Sequence, residues 1–196
     1  MHITYLNFAS NKNMKNPDAY FKSTDLPHTI YEELARGPGE TVSIVQRATY
    51  NSINKLEKVA YYFVKDEFDA KLRWWQEPVT VLEHLSGLKP DIIHIHGLNL
   101  PLQIRWLRRE IGDKIKIVGE HTGETIWAYR NLWLQQFGLR VLDGFLFKNM
   151  EDAQYWIKTS VILEKQPVVE IALSTRNPET TAKSLLKFYN KLLAIK

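Results

Sequence analysis

The chain has 196 residues, 44% of them hydrophobic, and a formal net charge of +4. This length and hydrophobic content are enough for one domain with a buried core. It contains no cysteine, which excludes disulfide bonds and thiolate metal sites. The amino terminus opens directly into a strand-like segment without a signal-peptide layout, and no apolar run approaches the ~20 residues that span a bilayer. We therefore expect a soluble, cytoplasmic protein.

The positive charge is concentrated at the carboxyl terminus. Residues 176–196 contain five basic residues and one acid, and residues 1–175 contain 21 basic and 21 acidic residues, so this body carries no net charge. A body that binds nucleic acid would carry a basic surface of its own. We therefore expect no nucleic-acid partner.

Strand-like and helix-like segments alternate along residues 1–175. The predicted strands are 2–9, 41–47, 59–64, two runs that begin at residues 90 and 114, 144–147 and 168–173. The first predicted helix begins at a cap, Thr24 or Asp25, has Pro27 in its first turn and ends at residue 35. Further helices are predicted over 73–85, 100–111, 124–137 and 149–158, and residues 10–22 are predicted to form a loop. This alternation predicts an α/β fold: a Rossmann-like, doubly wound and mainly parallel sheet with helices on both faces.

Two of these strands end in polar residues and a glycine. The first runs from Pro90 to Gly97 and the second from Ile115 to Gly123. In open α/β sheets, ligands bind where the carboxyl ends of strands meet loops and helix N-termini. We therefore expect a site built from His96 and His121, with Glu120 and Glu124 beside the second histidine.

The side chains of the first of these strands alternate between the two faces of the sheet. His94 and His96 fall on one face, and Ile93 and Ile95 fall on the other. We expect His94 to be a sheet histidine whose polar atoms are satisfied within the fold. His96 lies at the rim, where a structural and a ligand-binding role remain equally open.

The tail, residues 176–196, has the pattern of an amphipathic helix. Its apolar positions recur every three or four residues: Ala182, Leu185, Leu186, Tyr189, Leu192 and Leu193. We expect this helix to pack back on residues 1–175, with a membrane-surface helix as the alternative.

Four segments, taken in order, resemble the N-terminal half of GT-B glycosyltransferases of the retaining, glycogen-synthase-like clan. The segment 90–97 is similar to that clan's PDxxHxH strand, and 118–121 lies where its next strand ends in a histidine. The segment 143–147 is similar to the following strand, and 168–175 resembles the strand that leads out of the N-terminal domain. The resemblance covers about residues 1–175.

The resemblance implies an acceptor-side domain over residues 1–175 and a C-terminal helix over 176–196 that packs on it. It places His121 as the catalytic residue near the reacting sugar, with the substrate-binding residues His96, Gly97, Glu120, Thr122, Glu124 and Arg47. The complete enzymes use a nucleotide sugar as donor and no further cofactor, and their acceptor is a sugar or a glycolipid.

The chain departs from this family at two places. The segment Ser10–Asn13 replaces the family's glycine-rich turn, and the tail follows where a second, donor-binding domain would begin. We therefore expect the chain to be inactive alone, with the donor-binding domain as its missing partner. We also expect self-association, through the uncovered rim or through the region of the C-terminal helix. A Rossmann-like binding or interaction module without catalytic activity is the alternative.

Several of the candidate residues could also serve the fold alone rather than bind a ligand. His121 would then bind backbone groups of its loop, Glu124 would complement a helix dipole, and Arg47 would be solvated. The pair Trp74 and Trp75, which could stack on a sugar ring, would belong to the core. The basic helix face with Arg105, Trp106, Arg108 and Arg109 would be solvated rather than in contact with anionic lipid.

Other kinds of site find little support in the sequence. His94 and His96 could be two ligands of a metal site with His121 or Glu120. The sequence does not specify the third ligand, so we expect no metal. No Gly-x-Ser-x-Gly elbow, Gly-x-Gly-x-x-Gly turn or Gly-Lys-Ser/Thr phosphate loop is present, which argues against those hydrolases and against dinucleotide or ATP sites of those types.

Overall fold

A computed structural model describes residues 1–10, 16–23, 28–68, 71–171 and 177–195. It contains one eight-stranded sheet with the strand order β3-β4-β2-β1-β5-β6-β7-β8. The strands are β1 His2–Asn7, β2 Thr41–Ala48, β3 Ser52–Leu56, β4 Val59–Lys65, β5 Ile92–His96, β6 Lys116–Glu120, β7 Gly144–Phe147 and β8 Val168–Glu170. The helices are α1 Pro17–Ser23, α2 His28–Arg36, α3 Val79–Leu88, α4 Pro101–Ile111, α5 Tyr129–Leu139, α6 Met150–Lys158 and α7 Pro178–Ala194.

The sheet is parallel except at one edge, where β3 pairs with β4 in the antiparallel sense. Helices cover both of its faces. Residues of α1, α2 and α7 share one buried cluster with one face of the sheet, and residues of α3 to α6 share a second cluster with the other face. The predicted doubly wound, mainly parallel α/β fold is therefore confirmed.

The alternation predicted for β5 is confirmed. Ile93 and Ile95 pack in the cluster beneath α3 to α6, whereas Ile92 packs in the cluster on the opposite face. His94 lies on the side of Ile92, where it contacts Tyr5 and Tyr189. The two-residue period of the strand therefore directs both histidines of β5 toward the face that α7 covers.

Two short elements within the described residues were not predicted. The helix α1 lies within the predicted loop 10–22, and the edge strand β3 lies between two predicted strands. The sequence of β3, Ser-Ile-Asn-Lys-Leu, carries no continuous apolar run because the strand is largely exposed at the sheet edge. The predicted helix cap at residues 24–27, the loop at 11–13 and the strand end at 172–173 lie outside the described residues.

Two predicted helix starts are wrong. The helix α3 begins at Val79 rather than at residue 73, because a proline excludes an α-helical conformation at the residue before it and Pro78 stands just before Val79. The helix α5 begins at Tyr129 rather than at Glu124. Residues 124–128 form no regular structure and connect β6 to α5.

The C-terminal helix packs on the body of the chain, as predicted. Leu185, Tyr189 and Leu192 are buried in the cluster that α2 and the sheet share. Two details differ from the predicted stripe: Phe188 is buried, whereas Leu193 is exposed. Gly144 of β7 allows this close packing, because a Cβ atom there would lie 2.9 Å from the Phe188 ring.

The packing of α7 predicts a difference between two leucines of the same helix. Leu185→Ala removes a fully buried side chain and should lower the free energy of unfolding by about 2–5 kcal/mol. Leu193→Ala is the matched control and should change it by less than about 0.5 kcal/mol, since Leu193 is exposed. Urea unfolding of the two variants measures both values, and equal midpoints would show that the helix does not dock in solution.

Candidate functional site

The carboxyl ends of the parallel strands bring the candidate residues to one edge of the sheet. The strand β5 ends at His96, the strand β6 ends at Glu120, and the register places these two residues directly opposite each other. The loop after β5 begins with Gly97, whose N–H donates to the carbonyl oxygen of Glu120 at 3.1 Å. Both strands therefore deliver their last side chains to the same place, as the sequence predicted.

The centre of this site is the buried carboxylate of Glu120. Its side chain is only 4% exposed, and its Oε2 lies 2.8 Å from His96 Nδ1 and 3.6 Å from His94 Nε2. Burial alone would raise the pKa of Glu120, but the two imidazoles outweigh burial and hold its pKa at about 2. The group is therefore an anion at neutral pH and must be kept paired.

His96 is the exposed partner of this carboxylate. Its side chain is 33% exposed, and its Nδ1 is occupied by Glu120. Burial lowers the pKa of His96, but the hydrogen bond and charge of Glu120, with a contribution from Glu124, outweigh burial and raise the pKa above its ordinary value. The imidazole is thereby fixed in orientation and favoured in its charged form, which donates hydrogen bonds.

His94 lies behind Glu120 in a buried polar network. His94 Nδ1 lies 2.6 Å from the Tyr189 hydroxyl, which in turn lies 3.0 Å from the Tyr5 hydroxyl. Burial raises the pKa of both tyrosines, so both remain protonated donors. The other ring nitrogen of His94, Nε2, lies on the side of Glu120, 3.6 Å from its Oε2.

These contacts support a role of His94 within the fold, but the expectation that both ring nitrogens are satisfied is wrong, because Nε2 has no hydrogen-bond partner among the described residues. The sequence analysis treated Tyr189 only as an apolar position of the tail helix. Its hydroxyl group was the available signal, because a buried tyrosine requires a hydrogen-bond partner.

Glu124 ties the two loops of the site together. One carboxylate oxygen accepts from Leu98 N at 3.1 Å and from Thr122 Oγ1 at 2.5 Å, and the other accepts from Thr122 N at 2.7 Å. Gly97 has a φ of 89°, and a Cβ atom there would lie 3.0 Å from Glu124 Oε1. The dipole interpretation of Glu124 is wrong, because the residue precedes α5 by five positions and is buried in the loop.

His121 is buried rather than exposed at the rim. Its Nε2 lies 2.9 Å from the carbonyl oxygen of Glu124, and its ring stacks on Phe147 and meets the edge of Trp156. The expectation that His121 faces water is therefore wrong, since the aromatic residues of β7 and α6 cover it. The backbone contact anticipated as its structural interpretation is present.

Arg47 is also buried. The sequence analysis treated it either as a substrate-binding residue or as a solvated one, and both interpretations assumed that it is exposed. Its side chain is 1% exposed and forms an ion pair with Asp66, with Nε at 2.5 Å from Oδ2. A second nitrogen, Nη2, donates to the carbonyl oxygen of Phe68 at 3.2 Å. The partner lies 19 residues along the chain, beyond β4, and the sequence gives no local signal for it.

The aromatic and basic side chains outside the rim also differ from expectation. Trp74 and Trp75 are about half exposed, so their interpretation as core residues is wrong. Arg105 lies over the ring of Phe137 at 4.0 Å. Arg108 is not a solvated residue either, because it is largely buried in an ion pair with Asp143 and binds the carbonyl oxygen of Val141.

The described part of the chain holds neither a candidate metal cluster nor a candidate membrane span. No group of three or more histidine, cysteine or acidic residues in that part of the chain is placed to hold a metal ion. No helix there is long and apolar enough to cross a membrane.

The likeness of this chain to known proteins is one of fold. No family model and no curated protein matches the chain. A solved structure of a sucrose-phosphate synthase from Thermosynechococcus elongatus is similar to it, with a TM-score of 0.65 and 13% sequence identity. The match covers 99% of this chain and 100% of that chain. The likeness therefore supports a GT-B-like, Rossmann-like fold that includes the C-terminal helix.

The burial of His121 predicts that it stabilises the fold. His121→Ala removes a stacked ring and leaves the Glu124 carbonyl without its partner, so the free energy of unfolding should fall by about 2 kcal/mol. His84→Ala, at a partly buried histidine of α3, is the control and should cost less than about 1 kcal/mol. Chemical unfolding measures both, and an unchanged midpoint for His121→Ala would contradict the buried placement.

The pair of His96 and Glu120 predicts a pH dependence with a defined sign. The raised pKa of folded His96 means that its protonation adds stability below pH 6.5 and that this stability is lost as the pH rises through the folded pKa. In Glu120→Gln the raising charge is removed while the burial remains. NMR titration of the His96 ring should therefore give a pKa above 6.5 in the native chain and a lower pKa in the variant.

The control for this titration is His2, whose pKa burial lowers and which is paired with Ser43 rather than with Glu120. Its titration should not move in Glu120→Gln. An unchanged His96 pKa in that variant would contradict the assigned pair.

Proposed function

We propose that the chain is the acceptor-binding half of a retaining glycosyltransferase that uses a nucleotide sugar. The observation that carries the proposal is the partly exposed imidazole of His96, which the buried Glu120 carboxylate fixes at the carboxyl edge of the sheet and whose pKa it raises. Ligands of open α/β sheets bind at this edge. The similarity in fold to a sucrose-phosphate synthase supports the same assignment.

In this proposal His96 contacts the substrate. Its Nδ1 is bound to Glu120, so the remaining ring nitrogen, Nε2, is the group that can donate a hydrogen bond to a sugar hydroxyl or a phosphate oxygen. An oriented, charged donor stabilises negative charge that develops on an oxygen during group transfer. We assign binding contacts to Gly97 and Thr122, which flank this imidazole in the two loops.

The buried residues act through these exposed groups. Glu120 orients His96, and Glu124 fixes the loops that carry Gly97 and Thr122. His121, which the sequence placed at the reacting sugar, holds the backbone of this second loop through the Glu124 carbonyl. We therefore propose His96 as the group that touches substrate and His121 as a positioning residue.

We further propose that a separate domain holds the donor. The rim supplies one wall of a cleft, and transfer requires donor and acceptor to be placed together. The helix α7 packs on the face of the sheet behind the rim, where the final helix of a two-domain enzyme of this family would return. Chain 1–196 should then bind acceptor but release no product.

A binding or interaction module without catalysis is the second candidate. The burial of Arg47, Glu120, His121 and Glu124 favours it, because these four of the seven predicted site residues serve contacts within the chain itself. This candidate also predicts no transfer by chain 1–196. The two candidates differ in what the complete reading frame encodes and does.

A transfer assay separates these candidates. The reading frame that contains residues 1–196 is expressed complete, and transfer is measured with a panel of nucleotide sugars and acceptors. We expect transfer by the complete protein, none by chain 1–196, and about a hundredfold loss in His96→Gln. His84→Gln is the control and should retain activity. A frame that encodes no second α/β domain, or turnover by chain 1–196 alone, would overturn the proposal.

A further inference from the structure

An aromatic groove lies beside the candidate site and is not used by it. The groove has a volume of about 730 Å³ and includes side chains of Trp74, Trp127 and Trp133. Thr125 and Asn131 add polar groups to the lining. Its volume falls within the range of small-molecule sites in proteins, about 300–1,000 Å³.

One wall of the groove is fixed by a buried glutamine of α4. The Nε2 of Gln103 donates to the carbonyl oxygens of Arg73 at 3.1 Å, Trp74 at 3.3 Å and Gln76 at 2.8 Å. One side-chain amide thus holds three backbone positions of the irregular segment before α3. Trp74 is thereby presented to solvent from a segment whose backbone is held in place.

The opposite wall is fixed by a buried glutamine of α5. The Oε1 of Gln135 accepts from Trp127 N at 2.9 Å, and its Nε2 lies 3.3 Å from the Thr125 carbonyl oxygen. The two helices that carry these glutamines touch directly, since a Cβ atom at Gly138 would lie 2.2 Å from the Pro101 carbonyl oxygen. Two irregular segments are therefore anchored to one rigid pair of helices.

The groove is continuous with the candidate site along the chain. Glu124 closes the loop at the rim, and the next four residues, 125–128, line the groove. The buried contact between the Glu124 carbonyl and His121 anchors the beginning of this segment. A molecule in the groove therefore lies against the segment that leaves the sheet edge between His121 and α5.

The chemistry of the lining favours a neutral ring. None of the described residues that line the groove carries a charge, so an anionic ligand would find no partner there. The exposed tryptophans offer flat apolar faces, which pack against the C–H face of a sugar ring, while Asn131 and Thr125 can bind its hydroxyls. An anionic membrane, by contrast, selects clustered basic residues.

We propose that this groove binds the ring of a neutral saccharide. Its role as the acceptor subsite rests on the proposed function, whereas saccharide binding itself does not. Trp133, with 60% of its surface exposed, stacks on the ring, and Trp74 contacts it from the other wall. The buried amides of Gln103 and Gln135 position these two walls.

The test uses chain 1–196 and the indole N–H signals of its tryptophans in two-dimensional NMR. Maltose, lactose and chitobiose are titrated, with glucose 6-phosphate as a charged comparison. We expect at least one neutral disaccharide to shift the signals of Trp74, Trp127 and Trp133. Trp133→Ala should weaken that binding roughly tenfold. Tyr155→Ala, at an aromatic residue 59% exposed on α6, is the matched control and should leave it unchanged.

A second arm separates a sugar ring from an apolar chain or a membrane. Methyl and octyl glycosides of the same sugar are compared, and vesicles containing phosphatidylglycerol are tested for sedimentation of the chain. Shifts by the methyl glycoside support the proposal. Shifts by the octyl glycoside alone, or vesicle binding that Trp133→Ala abolishes without any saccharide shift, would overturn it.

The outcomes also separate this inference from the proposed function. Transfer by the complete protein with no saccharide shift in chain 1–196 would overturn the groove and leave the enzyme. Saccharide shifts without any transfer by the complete protein would support the groove and count against the enzyme.

Discussion

The fold is organised around the cost of one buried charge, the carboxylate of Glu120. A buried anion without partners is strongly unfavourable, and removal of one partner of such a pair typically costs several kcal/mol. His96 and His94 therefore both lie against it, and the Tyr189 hydroxyl is hydrogen-bonded to Nδ1 of His94. Through these contacts a residue of the C-terminal helix becomes part of the environment of a side chain at the sheet edge.

Glu124 solves a related problem for the loops. Backbone N–H groups that leave the end of a strand have lost their sheet partners and need acceptors. The carboxylate supplies acceptors for two such groups, at Leu98 and Thr122, and Gly97 leaves room for it. The two acids therefore have different roles, since Glu120 fixes the side chain of His96 and Glu124 fixes the backbone of the loops around it.

The sequence predicted most of the strands and helices well, but it predicted poorly which side chains contact each other. The buried parallel strands and the position of α6, predicted over 149–158 and found at Met150–Lys158, follow from local patterns. The pairing of Arg47 with Asp66 depends on which side chains the assembled sheet brings together, so the exposure predicted for Arg47 was wrong. The predicted start of α5 failed for a similar reason, because the backbone N–H of Trp127 is bound by Gln135, about two helical turns farther along the chain.

The parts of the chain that buried side chains hold in place are those proposed to bind a ligand. Buried carboxylates fix the rim, and buried amides from α4 and α5 fix both walls of the aromatic groove. Preorganised groups bind a ligand without further loss of conformational entropy, which is an advantage for a surface that holds one reactant in place. In an enzyme of two domains, the change of shape that brings donor to acceptor would then fall to the relative movement of the domains.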